Sequence, residues 1–307
     1  MDLSLFDPAP AASLDGASFA DLLARTRPES LPAPVLRRSE PGGPSGSSPG
    51  AAFGRGERID LPHATTILAI RYREGVAIAG DRRATEGFHI AHRSIEKVFA
   101  TDDSSAVAIA GVVGPALDMV RLFQTELEHY EKMEGERLTL EGRANKLAQF
   151  MRVHLPQAMQ GLVVVPIFAG FDERRGQGRI FSYDVTGGRY EESDYAATGS
   201  GGRDARATIK KRYRPGVSRE EVVKIALEAL FDASEEDVGT GGPDVLRKIY
   251  PNIARISAEG FREVPDDEIG SLFDSLLEER EAAGRIEPRE TVPEAYEYPA
   301  GTGEENE

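Results

Sequence analysis

The sequence predicts an α+β fold of four layers, in which two antiparallel sheets pack face to face and helices cover both outer sides. Three observations point to it. Strand and helix patterns follow one another as β-rich, two helices, β-rich, two helices, a β-pair and a last helix. The first strand pattern, Thr65 to Arg71, is apolar on both alternating faces, with Ile67 and Ala69 on one and Leu68 and Ile70 on the other, as a strand covered from both sides requires. A turn signal at Glu74 and Gly75 then folds Val76 to Gly80 back as its antiparallel partner. A hairpin centred there sets the Asp81 carboxylate across from Thr65 and Thr66.

After this hairpin the pattern gives strands around Lys97 to Thr101 and Ala106 to Ala110. A helix follows from Pro115, a residue suited to a first helical turn. Leu117, Val120, Phe123, Leu127 and Tyr130 recur at spacings of three and four, so one stripe of that helix is buried. A second helix spans about Leu140 to Met159. Strands at Leu162 to Gly170, Arg179 to Tyr183 and Arg189 to Ser193 precede helices near Arg203 to Arg212 and Arg219 to Ala233. The strand pair Ile253 to Ser257 and Phe261 to Val264 leads into a helix from Asp266 to Glu281.

The ends read differently. Residues 1–64 form a leader in which Ser18 to Arg25 can make two amphipathic turns capped by Ser18, but positions 41 to 50 are Pro, Gly or Ser throughout, the composition of a flexible linker. Residues 282–307 carry Pro288, Pro293 and Pro299 without apolar periodicity and read as a disordered acidic tail. This leaves one globular domain, residues 65–281, of a size that holds a single buried core.

Composition narrows the function classes. The chain has 307 residues and a formal net charge of -15, the wrong balance for neutralising phosphates, so no nucleic-acid partner is expected. Its one basic knot, Lys210, Lys211, Arg212 and Arg214, reads as a solvated helix end. Cysteine is absent, which removes disulfides and thiolate metal sites. His89 and His92 lack carboxylate ligands at matching spacing, so no metal is expected. No phosphate-cradling G-x-x-x-x-G-K occurs. The N-terminus lacks a secretory pattern and no long apolar span is present, so a cytoplasmic protein without a membrane partner is expected.

Several motifs in order, TTILAI at 65–70, GVAIAGDRRATEG at 75–87, IEKVFATDD at 95–103, AIAGVVG at 108–114, ATGSGG at 197–202 and DVGTGGPD at 237–244, resemble the 20S proteasome β subunit family, the actinobacterial type most closely. The resemblance runs from about Thr65 to about Glu281. It implies the αββα fold of the N-terminal nucleophile hydrolases and a threonine endopeptidase activity without a cofactor. It also implies autocatalytic cleavage between Ala64 and Thr65, making residues 1–64 a propeptide. Partners implied by the resemblance are proteasome α subunits, further β copies in stacked heptameric rings, an ATPase unfoldase acting through the α ring, and protein substrates. Ala64 stands where the family usually has Gly, and Thr240 where many members have Ser.

Residue by residue, the resemblance makes Thr65 the nucleophile, Asp81 and Lys97 its electrostatic partners, the N–H of Gly111 the oxyanion donor, Ser200 the hydrogen-bond partner of the amine and hydroxyl, and Asp237 with Thr240 its support. A threonine hydroxyl needs a base, and an N-terminal threonine carries one in its own α-amine. That amine has a pKa of roughly 7.7–8.0. A cation about 4 Å away lowers it by up to about three units at an effective dielectric near 20, and a carboxylate beside the cation moderates the effect. Ala84, Thr85, Ile95, Phe99, Ile109 and Val113 are the implied substrate-binding positions, none of them charged, which suits cleavage after large apolar residues as chymotrypsin does. Two other functions compete: an ATP-dependent bacterial two-component peptidase, which reads GDGQ where this chain has GDRR, and a β subunit that builds the chamber without cutting, which would lose the threonine, lysine or aspartate.

Overall fold

The computed structural model describes residues 65–86 and 89–284, all within one compact unit of the chain, Arg58–Glu307. The expected leader and residues 285–307 of the expected tail lie outside the described residues, whereas residues 282–284, expected in that tail, complete the end of the last helix.

Strand β1 (Thr66–Tyr72) and strand β2 (Gly75–Gly80) form a hairpin whose turn is Arg73 and Glu74, one residue earlier than the expected Glu74 and Gly75, because Gly75 already pairs with Tyr72, in the register Ile67 to Gly80 and Tyr72 to Gly75. β11 (Asn252–Ser257) and β12 (Gly260–Glu263) extend the sheet on the β2 side, and β10 (Tyr195–Gly199) closes it on the β1 side, giving the order β10-β1-β2-β11-β12. The second sheet holds β5 (Val98–Asp102), β6 (Ser105–Gly111), β7 (Val164–Asp172), β8 (Gln177–Tyr183) and β9 (Arg189–Glu192) in chain order. All pairings are antiparallel.

Three apolar clusters mark the three seams between four layers. Ile67, Ala69, Val76 and Ile78 of the first sheet meet Ala106, Ala108, Ile167 and Ile180 of the second. On the outer face of the first sheet, Leu68, Ile70, Ala77 and Ala79 pack under helices α3 (Gly202–Arg212), α4 (Arg219–Glu236) and α5 (Asp266–Ala282). Val107, Phe168 and Phe181 lie under α1 (Val113–Glu134) and α2 (Leu140–Ala158), where Phe123 meets Phe168 edge to face at 5.9 Å between centroids. β1 and β2 are therefore covered on both sides, and the alternation read from Ile67 to Ile70 assigns each side chain to the seam it occupies. The sheets approach tightly where β8 crosses the start of β2. A Cβ on Gly178 would lie 2.4 Å from the Gly75 carbonyl, so only glycine fits.

Local chemistry sets the helix ends. Thr139 accepts the Gly142 N–H at 3.0 Å and Ser218 the Glu221 N–H at 3.2 Å, which caps α2 and α4. α1 begins two residues before Pro115, and its buried stripe is Ala116, Met119, Val120, Phe123 and Leu127, with Leu117 and Tyr130 half-buried at the border. β7 begins at Val164 rather than Leu162, because the Leu162 N–H is taken by Gln157 at 3.0 Å in the turn that ends α2. Two features go beyond the expected elements: β10, and a separate hairpin of β3 (Ala84–Glu86) and β4 (His89–His92). The basic knot is the exposed last turn of α3, as expected. No helix among the described residues is long and apolar enough to cross a membrane.

Candidate active site

The start of β1, the end of β2, the approach to β5 and the loop after α4 converge on Asp81. This aspartate is fully buried, and each of its oxygens accepts two bonds. Oδ1 takes the Thr66 N–H at 2.8 Å and the Lys97 ammonium at 2.6 Å; Oδ2 takes the N–H groups of Arg83 and Gly241, both at 2.9 Å. The Asp81 N–H in turn donates to the Thr66 carbonyl at 3.1 Å, the cross-strand placement that the register set by the Arg73 and Glu74 turn gives.

Lys97 is 3% exposed and reaches Asp81 from the segment just before β5. Its ammonium also donates to the Arg83 carbonyl at 2.6 Å, and its own N–H donates to Asn252 Oδ1 at 3.3 Å. Burial pushes the ammonium below the ordinary lysine range, and the Asp81 charge pulls in the opposite direction without cancelling that effect. A buried ion pair of this kind is weak evidence for stability and better evidence for a site.

Thr65 is 4% exposed, and its nitrogen, an amide within the continuous chain, donates to Ser200 Oγ at 3.0 Å. The Thr65 carbonyl accepts the Ser200 N–H at 2.9 Å. Ser200 Oγ donates to Asp237 Oδ2 at 2.5 Å, and Thr240 Oγ1 donates to the same oxygen at 2.5 Å. The hydroxyls of Thr240 and Thr66 lie 2.6 Å apart. Because the Thr240 proton is already on the Asp237 bond, Thr66 is the donor between them. A ring of hydrogen bonds thus runs from the Thr65 nitrogen through Ser200, Asp237 and Thr240 back to the neighbouring Thr66.

Gly111 ends β6 with φ of +116°, and a Cβ there would lie 2.1 Å from the Val163 carbonyl oxygen. The Ile109 N–H donates to the Lys97 carbonyl at 2.9 Å, which holds this end of β6 beside the approach to β5. The structure therefore gathers Thr65, Asp81, Lys97, Ser200, Asp237 and Thr240 into one bonded cluster and brings the Gly111 strand alongside. Of the expected substrate-binding positions, Phe99 and Ile109 meet in the core under α1 and α2. Ala84 and Thr85 sit on β3, Ile95 on the approach to β5, where its N–H bonds the Arg82 carbonyl at 3.0 Å, and Val113 at the start of α1. Thr85 Oγ1 is enclosed without a hydrogen-bond partner. His89 and His92 are exposed on β4, and the described residues contain no group of His, Asp or Glu able to hold a metal ion.

Sequence reasoning set Thr66 across from Asp81 without giving it a role, and it missed three further contributors. The Arg83 carbonyl, the Gly241 N–H and Asn252 carry no local signal, since two are backbone groups and the third arrives on a distant strand.

The family model for proteasome subunits matches residues 61–248. The chain is 58% identical over 225 residues, 72% of this chain and 82% of the relative, to a proteasome subunit beta of Acidimicrobium ferrooxidans. It is 47% identical over 270 residues, 88% and 91% of the two chains, to proteasome subunit beta 2 of Thermomonospora curvata. With a proteasome subunit beta of Jonesia denitrificans it shares 48% identity over 265 residues, 86% and 83%. Matched by the family model over more than half of its length and by these relatives over 72% to 88% of it, and folded as the αββα sandwich, the chain belongs to the proteasome subunit family.

Proposed function

We propose that this chain is a catalytic β subunit of a 20S proteasome core particle, a threonine endopeptidase that works in the cytoplasm after removing its own leader. The observation that carries this reading is the buried Lys97 ammonium held by Asp81, whose same oxygen bonds the residue next to Thr65. A non-cutting subunit has no use for a desolvated cation at that point. The three relatives named above are all called proteasome β subunits, which also favours this reading over the two-component peptidase.

Of the two adjacent threonines, Thr65 is the nucleophile. Thr66 Oγ1 is committed to Thr240 and the Thr66 residue is fully buried. In maturation the Thr65 hydroxyl adds to the Ala64 carbonyl, the C–N bond to Thr65 breaks, and the hydroxyl proton passes to the departing nitrogen. The resulting ester is hydrolysed by water, leaving a carboxylate on Ala64 and a free amine and hydroxyl on Thr65. That amine then takes the hydroxyl proton during attack on a substrate carbonyl, with Lys97 lowering its pKa and the Gly111 N–H bonding the developing oxyanion. Ser200, supported by Asp237 and Thr240, holds the amine. The pocket of uncharged positions favours cleavage after large apolar residues. Partners of the particle are α subunits, further copies of this chain in stacked rings, and an ATPase unfoldase that feeds protein substrates.

Mass and N-terminal sequencing of the purified, assembled protein test this. Wild type should begin at Thr65, and Thr65→Ala should retain its full leader and cut no peptide. A Thr65→Ala chain that still matured in pure form would remove self-cleavage from the proposal.

A further inference from the structure

Thr66 takes no part in the chemistry above, yet it is tied to both halves of the site. On one side its N–H donates at 2.8 Å to Asp81 Oδ1, the oxygen that also holds the Lys97 ammonium, and its carbonyl accepts the Asp81 N–H at 3.1 Å. On the other side its hydroxyl lies 2.6 Å from that of Thr240, fully buried. A hydroxyl has one proton to give. Thr240 and Ser200 both give theirs to Asp237 Oδ2 at 2.5 Å, so Ser200 turns a lone pair toward the Thr65 nitrogen. Two lines of donors therefore converge on Asp237, Thr66 through Thr240 from one side and the Thr65 N–H through Ser200 from the other. Packing joins them again. A Cβ on Gly201, the residue after Ser200, would lie 2.5 Å from Thr66 Oγ1 and 2.8 Å from Thr240 Oγ1, so the Ser200 loop rests directly on the hydroxyl pair.

Cutting the chain gives this pair a task. Before cleavage Thr65 is held by a peptide bond on each side, whereas afterwards it is a chain terminus linked covalently to Thr66 alone, and termini fray unless tied down. We infer that the Thr66 hydroxyl is a positioning group for the mature N-terminus. By fixing the direction of the Thr240 hydroxyl and supporting the Ser200 loop, it holds the Thr65 amine with one N–H on Ser200 and leaves the amine lone pair for the Thr65 hydroxyl proton. Thr66 acts through Thr240 and Ser200 and touches no substrate. The inference rests on Thr65 being the nucleophile, and it separates two steps of the proposed function. Loss of the Thr66 hydroxyl spares leader removal, which starts from a chain bonded on both sides of Thr65, and slows peptide hydrolysis, which needs the free terminus in place.

Thr66→Val removes the hydroxyl and keeps both the branched shape and the backbone bonds to Asp81. The full-length variant, co-expressed with an α-type chain, is compared with wild type by N-terminal sequencing and by steady-state peptide hydrolysis, with kcat counted per Thr65 terminus. It should begin at Thr65 as wild type does, and its kcat should fall about tenfold at unchanged KM. Thr66→Ser should return most of that loss. Thr66→Val combined with Thr240→Val should cost no more than Thr240→Val alone, because the two hydroxyls act as one unit. A purely structural role would lower the yield of mature termini and leave kcat per terminus unchanged. If Thr66→Val does not assemble, Thr66→Ala and Thr66→Ser, which differ by a single hydroxyl, make the same comparison. Unchanged kcat per terminus, additive losses with Thr240→Val, or no recovery in Thr66→Ser would each overturn the inference while Thr65→Ala stays inactive. Hydrolysis retained by Thr65→Ala would overturn the nucleophile assignment and this inference with it.

Discussion

At the scale of single residues, Lys97 separates function from stability. Its ammonium titrates below the ordinary lysine value of 10.5 because burial disfavours the charge. The folded state therefore releases this proton at lower pH than the unfolded chain does, so the contribution of this group to stability rises with pH across the interval below 10.5. The proposed role of the cation gives the opposite trend. Peptide hydrolysis should fall through that interval as Lys97 loses its charge, while unfolding monitored at the same pH values shows no loss from this group. Parallel decline of both would tie the pH effect to unfolding instead. Lys97→Ala should abolish hydrolysis, and it should also destabilise the chain by about 3–5 kcal/mol, the usual consequence of leaving one member of a buried ion pair behind. The three backbone N–H groups on Asp81 reduce that cost. Lys97→Met fills the same space without the charge and is the cleaner variant for activity.

At the scale of elements, the sandwich depends on how closely its two sheets approach. Gly178 on β8 meets the Gly75 carbonyl at the start of β2 with no room for a methyl group. Gly178→Ala should thus lower the stability by about 1–3 kcal/mol, read from the midpoint of chemical denaturation. The proposed substrate pocket also draws on several elements. Ala84 and Thr85 come from β3, Ile95 precedes β5, and Val113 opens α1. An apolar pocket gains roughly 25 cal/mol for each square ångström of apolar substrate surface buried, and a lone charge placed there is desolvated without a partner. Fluorogenic peptides differing only at the residue before the cut should be cleaved faster after Leu, Tyr or Phe than after Arg or Asp. Val113→Gly should shift the preference toward bulkier side chains. Faster turnover after Arg or Asp would remove the pocket assignment and leave the nucleophile in place. Elements with strong periodicity were legible: β1 and β2 because apolar residues occupy both faces, α1 because of its stripe. β10 was not, since its Ala196, Ala197 and Thr198 offer little strand character beside the ATGSGG loop, and its position is fixed by pairing Thr66 with Gly199 across the sheet. The β3 and β4 hairpin escaped for a related reason. Its β4 is exposed along its length, so no buried face writes a period into the sequence.

At the scale of the molecule, the site was legible only in part. The hairpin places Asp81 opposite Thr66, the neighbour of Thr65, whereas Lys97, Ser200 and Asp237 were expected through resemblance and are brought to the cluster by three other segments. Co-expression with an α-type chain should yield a multi-subunit particle by native mass measurement; a monodisperse monomer after leader removal would contradict the proposed assembly. On the proposed self-cleavage, the four bonds on Asp81 bear on when a chain can mature. They come from the starts or ends of β1, β2, the approach to β5 and the loop after α4, the last lying 160 residues along the chain from Asp81. A nascent or damaged subunit lacking any one of these has a threonine but no competent surroundings for it. Self-cleavage would then act as a checkpoint on completed folding, and the uncut leader would remain as a visible tag on subunits that failed it.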